Sequence, residues 1–329
     1  MTAEATPRPV RGRAEGEEGA PPDSAPAPPR RSALRQRNRA ATVLMTPFFL
    51  LMGGVFIAPL LTALWLSLYA EDSSGLGFGP VEQTFVGLRS YAAVLTDPTF
   101  MSSLALILVF CLVYIPVVTL GALFLALLLD SGVARLRSVL QLGLFLPHAV
   151  PGIIAAIIWL YLYTPGISPI TEALSTVDLE INFLGVNMVV PAIVNIAVWT
   201  SLGYYSVIFY AALQAVPREA LEAAVMDGAG AVRTALTIKV PMIRSAVVMV
   251  LLFSTIWTLQ LFTEPMLLSQ STPAINSRFS PSMYIYDAAF TRNNYGLAAA
   301  ASVILLISTM ALSYGMTRLT GRLQRQEGR

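Results

Sequence analysis

One polar segment of 25 residues, 217–241, contains side chains whose types and spacing suit a specific binding function. It reads PREALEAAVMDGAGAVRTALTIKVP and lies between two long apolar runs. The segment combines a proline that can open a helix, the carboxylates Glu222 and Asp227, a hinge at Gly228 and a second proline, Pro241. A simple connector needs none of this regularity. We therefore predict that the segment is a surface on which another protein docks.

Enzymatic chemistry has few candidate groups here. The chain has one cysteine, Cys111, and one histidine, His148, which together cannot build a disulfide, a zinc site or an iron–sulfur site. A nucleotide-binding P-loop needs glycines before its lysine, whereas the only lysine, Lys239, lies between Ile238 and Val240. No nucleophile motif surrounds His148. We expect no catalytic residue, no metal and no ATPase site in this chain.

Two short helices joined by a glycine hinge are predicted within the polar segment. Pro217 suits a first helical turn, and the first helix is expected from about Arg218 to Asp227. Gly228 can take the left-handed conformation that ends a helix. A second helix, about Ala231 to Lys239, should end before Pro241.

The first of these helices would carry Leu221, Ala224 and Val225 on one face, a narrow face that suits insertion into a groove. An amphipathic helix lying on a membrane surface is the alternative. The mixed charges of the segment and its lack of Trp and Phe favour docking over that alternative.

The rest of the chain has the composition of a membrane protein. It is 55% apolar and only 12% charged, whereas about a quarter of the residues of ordinary soluble domains are charged. Six apolar runs can each supply the roughly 20 residues that cross a bilayer as helix. These spans are expected at about 42–69, 101–129, 139–163, 188–213, 244–269 and 296–318. The first run is too long for the apolar core of a signal peptide.

Residues 1–40 are rich in proline and charge, so we expect a disordered cytoplasmic tail before a membrane domain over 41–329. With a cytoplasmic N-terminus, 18 of the 21 Lys and Arg residues fall in segments on the inner side. The positive-inside rule then predicts that both termini and segment 217–241 are cytoplasmic. The expected fold is an all-α integral membrane protein with six transmembrane helices.

The residues Glu222-Ala223-Ala224 and Asp227-Gly228-Ala229, followed by Ile238 and Pro241, reproduce a known pattern: E-A-A, two residues, D-G-A, then I-x-L-P. On these residues the chain resembles the permease subunits of binding-protein-dependent ABC importers of the carbohydrate-uptake (maltose/glycerol-phosphate) type. The likeness extends over nearly everything after residue 40. Further similar residues are Leu146-Pro147 with Trp159, the run 199–203 and the run 212–217.

This resemblance implies a type I ABC importer permease fold that moves a sugar-like solute by alternating access in the bacterial inner membrane. It implies as partners a second homologous permease, two ATPase subunits that use ATP and Mg, an extracytoplasmic solute-binding protein and the lipid bilayer. The ATPase-coupling residues would be Glu222, Ala223, Ala224, Asp227, Gly228, Ala229 and Pro241. Four features depart from the family pattern: Ala235, Val240, Ser245 and the run 271–273.

In the fourth span, Asn195 and Trp199 lie one helical turn apart, and they offer a sugar an amide for its hydroxyls and a ring face. Tyr205 lies deeper in the same span. This span belongs to the translocation path in the resembling family, so all three are candidate path residues. Ordinary hydrogen bonding between membrane helices is the alternative for each.

Three further path candidates lie in the third and fifth spans. His148 is expected near the middle of the membrane, where Pro147 and Pro151 should break the helix. Glu264 is the only acid within an apolar span, and residue counting places it near the outer face, where its carboxylate reaches water. Gln260, one turn deeper, is then the better cavity candidate.

An ion-coupled secondary transporter that works without an ATPase is the alternative function. Such a protein needs buried carboxylates along its path, and Glu264 is the single candidate.

Overall fold

The structure, a computed structural model, describes residues 31–73, 81–131 and 136–326. The described chain is mostly helical, in agreement with the predicted all-α class. It divides into two compact units, Met1–Pro59 and Leu60–Arg329. The predicted disordered tail lies outside the described residues as far as residue 30. Its last ten residues are helical, because helix α1 begins at Arg31.

The first unit consists of α1 (Arg31–Met52), a π-helical turn (Gly53–Ile57) and the start of α2 (Ala58–Leu66). The stretch Thr42–Leu66 is apolar and long enough to span a bilayer, and none of its most apolar window is buried within the chain. Apolar side chains left uncovered along a whole helix are suited to lipid or to another membrane subunit.

In the second unit, four helical stretches are long and apolar enough to span a bilayer: Pro98–Asp130 (α4), Val189–Leu213 (α8), Arg244–Leu268 and Tyr295–Arg318. The third of these comprises α12 (Arg244–Leu259) and α13 (Thr263–Leu268), and the fourth is part of α15 (Tyr295–Gln326). A bent pair, α5 (Arg137–Ala149) and α6 (Gly152–Tyr163), also qualifies. By length and composition, the described residues thus contain five stretches that can span a bilayer, or six if the bent pair is one span.

The third predicted span, 139–163, is not one straight helix. The axes of α5 and α6 form an angle of 93°. Val150 and Pro151 between them have extended backbones, as a residue before proline and proline itself prefer. The expectation that both prolines would break the helix is wrong for Pro147, which lies inside α5.

Shorter elements connect the spans: α3 (Arg89–Thr96), α7 (Pro169–Ser175), α9 (Arg218–Met226), α10 (Ala231–Thr234), α11 (Val240–Met242), α14 (Pro281–Tyr286) and the π-helical turns Ala235–Lys239 and Asp287–Thr291. One antiparallel hairpin, β1 (Tyr69–Ser73) and β2 (Val81–Phe85), was not expected. The rings of Tyr69 and Phe85 pack at 5.5 Å across it, and Trp65 stacks on Tyr69 at 5.0 Å.

The core of the second unit is the long contact between α4 and α8. Helix α4 buries one side chain every three or four residues along one face, namely Ile107, Phe110, Tyr114, Val118, Ala122 and Ala126. Helix α5 crosses α8 at Gly203, where an added Cβ atom would lie 1.6 Å from the carbonyl oxygen of Leu144. The two backbones therefore touch, and this contact fixes α5 against the core.

Candidate functional site

The polar segment forms a pair of helices joined at Gly228, as predicted, but the second helical run does not end before Pro241 and continues into α11. Helix α9 runs from Arg218 to Met226, directly after Pro217. Gly228 has a φ of +73°, the left-handed conformation expected of the hinge. Helix α10 then begins at Ala231 and continues into the π-helical turn that ends at Lys239.

Most of the expected ATPase-coupling residues are exposed. Glu222, Ala223, Asp227, Gly228 and Pro241 are exposed, and Ala229 is half-buried. These groups lie on short helices or in the turn between them, and their exposure leaves them accessible to a partner protein.

The prediction that one apolar face of α9 inserts into a groove is wrong about which residues are exposed on it. Leu221 packs against the core and Ala224 is only 4% exposed, so these two side chains anchor α9 to the membrane domain. Val225 and Met226, in contrast, are 68% and 87% exposed. Helical spacing places apolar residues on one side of a helix. Only tertiary packing decides which of them are buried against the rest of the chain. The exposed apolar pair is therefore Val225 and Met226.

One ion pair anchors the second half of this segment. Lys239 Nζ pairs with a carboxylate oxygen of Asp130, the last residue of α4. The other oxygen of Asp130 accepts a hydrogen bond from Gln214 Nε2 at 2.8 Å. Local sequence patterns do not predict this contact, because 109 residues separate its two charges.

The path candidates of the fourth span face α6. Asn195 Nδ2 donates to Tyr163 Oη at 2.8 Å, and Tyr163 Oη donates to the Ala192 carbonyl at 3.0 Å. Trp199 meets Trp159 edge to face, with ring centroids 5.9 Å apart. Asn195 itself is exposed and Trp199 is half-buried. An amide and two indoles thus line one side of α6 and α8.

Two further residues, Trp159 and Tyr114, were not predicted as site residues. Trp159 Nε1 is buried and has no hydrogen-bond partner among the described residues, and the same is true of Tyr114 Oη. Tyr114 packs at 5.4 Å from Trp257 of α12. Tyr205, the deepest candidate, is also buried.

His148 lies at the end of α5 and contacts α8. Its Nδ1 is 3.1 Å from the carbonyl oxygen of Thr200, and its ring stacks on Tyr204 at 4.4 Å with an interplanar angle of 10°. An Nδ1–H group at this position donates to the carbonyl. The imidazole is otherwise exposed. The contacts of His148 are those of a residue that joins two helices.

The position of Glu264 differs from the expectation for it. Glu264 is only 7% exposed, whereas Gln260 is exposed. The helix ends at Leu259 and restarts at Thr263, so counting along a straight helix misplaced the Glu264 side chain. Glu264 Oε1 lies 3.3 Å from the point where Gly152 would carry a Cβ atom. The buried carboxylate therefore lies against the first turn of α6, and the prediction that it reaches water is wrong.

A polar network connects α14 to the start of α4. Asp97 accepts hydrogen bonds from the Thr99 amide and from Tyr284 Oη, both at 2.7 Å. Arg292 lies 3.9 Å from the same carboxylate and donates to Asp287 at 2.7 Å. Partial burial acts to raise the pKa of Asp97, but the hydrogen bonds from Tyr284 and Thr99 and the charge of Arg292 hold it below its usual value. Burial and the nearby Asp97 raise the pKa of Tyr284.

Known proteins similar to this chain are permeases. The diacetylchitobiose uptake system permease protein NgcF of Streptomyces coelicolor is 30% identical over 308 residues, which cover 87% of each chain. The trehalose transport system permease protein SugA of Mycobacterium tuberculosis is 28% identical, covering 86% of this chain and 89% of that protein. No protein-family model matches the chain.

A solved structure has the same fold. It is a chain of a bacterial alginate ABC transporter, crystallised in complex with an alginate pentasaccharide-bound periplasmic protein. The TM-score is 0.78 over 89% of this chain and 98% of the other, at 18% sequence identity.

Proposed function

The chain belongs to the family of sugar ABC transporter permeases, and we propose that it is the translocation subunit of an ATP-driven sugar importer. The observation that carries this function is the 30% identity to a sugar uptake permease over 87% of the chain. It agrees with the E-A-A residues on α9 and the D-G-A residues in the turn after it, most of which are exposed. Energy would come from separate ATPase subunits, which bind ATP and Mg and dock on residues 217–241.

Within this proposal the chain crosses the bacterial inner membrane six times, with the bent pair α5 and α6 as the third crossing. Both termini and segment 217–241 are then cytoplasmic. The distribution of basic residues supports this orientation, since 18 of the 21 fall on the inner side.

The proposed complex contains this chain, a second homologous permease and two ATPase subunits, and a binding protein delivers the sugar from outside. The crystallised alginate transporter was solved with a periplasmic protein bound, which supports a binding-protein partner. The uncovered apolar side chains of Thr42–Leu66 are suited to lipid or to the second permease.

The proposed sugar path lies between α6 and α8. Asn195 is exposed and Trp199 is half-buried there, and the ring of Trp159 packs edge to face on Trp199. An indole covers the apolar face of a sugar ring, while an amide pairs with its hydroxyls. Tyr205, His148 and the other path candidates are more remote from this pair, and their contacts are those of helix packing.

The docking function is tested with the whole importer, assembled from this chain and the products of neighbouring genes. We expect the ATPase subunits to copurify with the wild-type chain, and the loaded binding protein to stimulate ATP hydrolysis. Glu222→Lys should abolish the stimulation by reversing an exposed charge. Gly228→Pro should do so as well, because proline requires a negative φ where Gly228 has +73°.

The matched control is Glu219→Lys, which reverses another exposed acidic residue of α9, one turn before Glu222. We expect it to cost less stimulation than Glu222→Lys. Unchanged stimulation in both Glu222→Lys and Gly228→Pro would exclude segment 217–241 as the docking site. Sugar uptake in vesicles that hold an ion gradient but no ATP would instead favour the ion-coupled alternative.

A further inference from the structure

One carboxylate at the end of α4 joins three segments of the chain. Asp130 is the last residue of α4, and its two oxygens bind Lys239 and Gln214. Gln214 is the residue that follows α8, and Lys239 ends the π-helical turn of the polar segment. We call these three residues the Asp130 clamp.

The clamp is shielded from solvent at its charged groups. The side chains of Lys239 and Asp130 are 18% and 13% exposed. Salt screens a pair in this position less than it screens an exposed pair. Removing one charge would leave the other poorly hydrated and unpaired, which is unfavourable. The pair therefore holds its two segments together more firmly than a surface ion pair does.

The order of the helices along the chain shows why the Asp130 clamp matters for α4. Helix α9 is joined to α8 through residues 214–217 and to α12 through α10 and α11, so movement of α9 reaches both directly. Helix α4 has no such connection, because the chain leaves Asp130 toward α5. Yet α4 packs along α8 and also contacts α12. Asp130 is the point at which α4 is bonded to the segment that carries α9.

The second half of the polar segment turns one side toward this point. Ile238 and Lys239 are half-buried, while Leu236 and Thr237 are exposed. The covered side contacts the membrane domain, and the exposed side is free for another protein. A displacement of the exposed side is then transmitted through Lys239 to α4.

We propose that Asp130 and Lys239 are positioning residues that transmit ATPase-driven movement of segment 217–241 to α4. The inference rests on the proposed docking of ATPase subunits to that segment. Without the pair, α4 would follow the ATPases only through its packing on α8 and α12, so the path between the helices would open incompletely. ATP would still be hydrolysed, but less sugar would cross for each ATP consumed.

The test measures sugar imported per ATP hydrolysed by the whole importer in proteoliposomes with its binding protein. We expect Asp130→Asn, which lies outside the docking segment, to keep ATPase binding and basal hydrolysis while lowering this ratio at least tenfold, and Lys239→Met to lower the ratio to the same extent. Lys239→Arg keeps the charge and should remain within about twofold of the wild type. The double variant should be no worse than either single variant, because both remove the same contact.

Wild-type ratios in Asp130→Asn and Lys239→Met would overturn the inference, as would additive losses in the double variant. An equal defect in Lys239→Arg and Lys239→Met would also overturn it. These outcomes are distinct from failure of the proposed function, in which the wild-type chain would bind no ATPase subunit at all.

A second measurement applies even if the variants fail to assemble. Lys239 is the only lysine of the chain, so peptide mass spectrometry can follow its reaction with an amine reagent in the intact complex. Arg278→Lys supplies a reference amine at an exposed position. We expect Lys239 to react at least tenfold more slowly than this reference. Equal rates would show that the ion pair does not form and would overturn the inference.

Discussion

Replacing Gly203 with alanine should disrupt the crossing of α5 and α8. The added Cβ atom would lie 1.6 Å from the carbonyl oxygen of Leu144, 2.3 Å from its carbonyl carbon and 3.1 Å from the amide nitrogen of Phe145. These neighbours are backbone atoms, which cannot turn aside as a side chain can. Restoring an ordinary contact distance would require the two helices to separate by about 1.5–2 Å.

The expected cost of Gly203→Ala is at least the roughly 1–3 kcal/mol typical of overpacked cores. Separation of the helices would also weaken the contact of His148 Nδ1 with the Thr200 carbonyl, now 3.1 Å, and the stacking of His148 on Tyr204. Sugar transport should fall together with stability, since α8 carries the proposed path residues.

Gly143→Ala is the matched control, because Gly143 lies on α5 and a Cβ atom there would meet nothing within 4 Å. Alanine is a better helix former than glycine by about 1 kcal/mol, so this variant should be neutral or slightly stabilising. The assay is the fraction of purified importer that stays assembled after heating, measured by size-exclusion chromatography. If Gly203→Ala survived heating as well as Gly143→Ala, the close contact of α5 and α8 would be refuted.

Three further predictions follow from single contacts. Tyr163→Phe removes the hydroxyl that binds Asn195 and Ala192, so we expect a higher KM for sugar with a smaller change in kcat, measured by uptake at varied sugar concentration. Met226→Asp places a charge at a position that is 87% exposed and should weaken ATPase copurification without lowering thermal stability, whereas Leu221→Ala should lower the thermal stability of the importer. Because the pKa of Asp97 is lowered in the folded chain, its contribution to stability is present above pH about 4 and is lost as the pH falls through the lowered pKa. Asp97→Asn should therefore flatten the pH dependence of the melting temperature in that acid range, and an unchanged slope would contradict the assignment.

Local signals in the sequence were sufficient for the first helix of the polar segment. Pro217 and Gly228 predicted where α9 begins and ends, and the observed bounds of α9 differ by one residue from the expected range. Pro241 did not end the second helix, because proline is tolerated in the first turn of α11. These signals act through the backbone of the residue itself or of its immediate neighbours, so no tertiary contact is needed to interpret them.

Burial was predicted less well, because it depends on packing between distant segments. Glu264 was expected near water and is buried, since the break between α12 and α13 turns it toward Gly152. Leu221 and Ala224 were expected on an outward face and instead anchor α9.

The sequence by itself determined that this chain is a helical membrane protein with a polar segment of the permease type. Composition, the length of apolar runs and the spacing of Glu222 and Asp227 are all visible within short stretches of sequence. Only the tertiary structure decided that α5 and α6 bend by 93°, that Glu264 is buried, and that Asp130 joins Lys239 across 109 residues. The physical reason is that each of these features depends on contacts between segments far apart in the chain. The spacing of residues along the sequence does not predict such contacts.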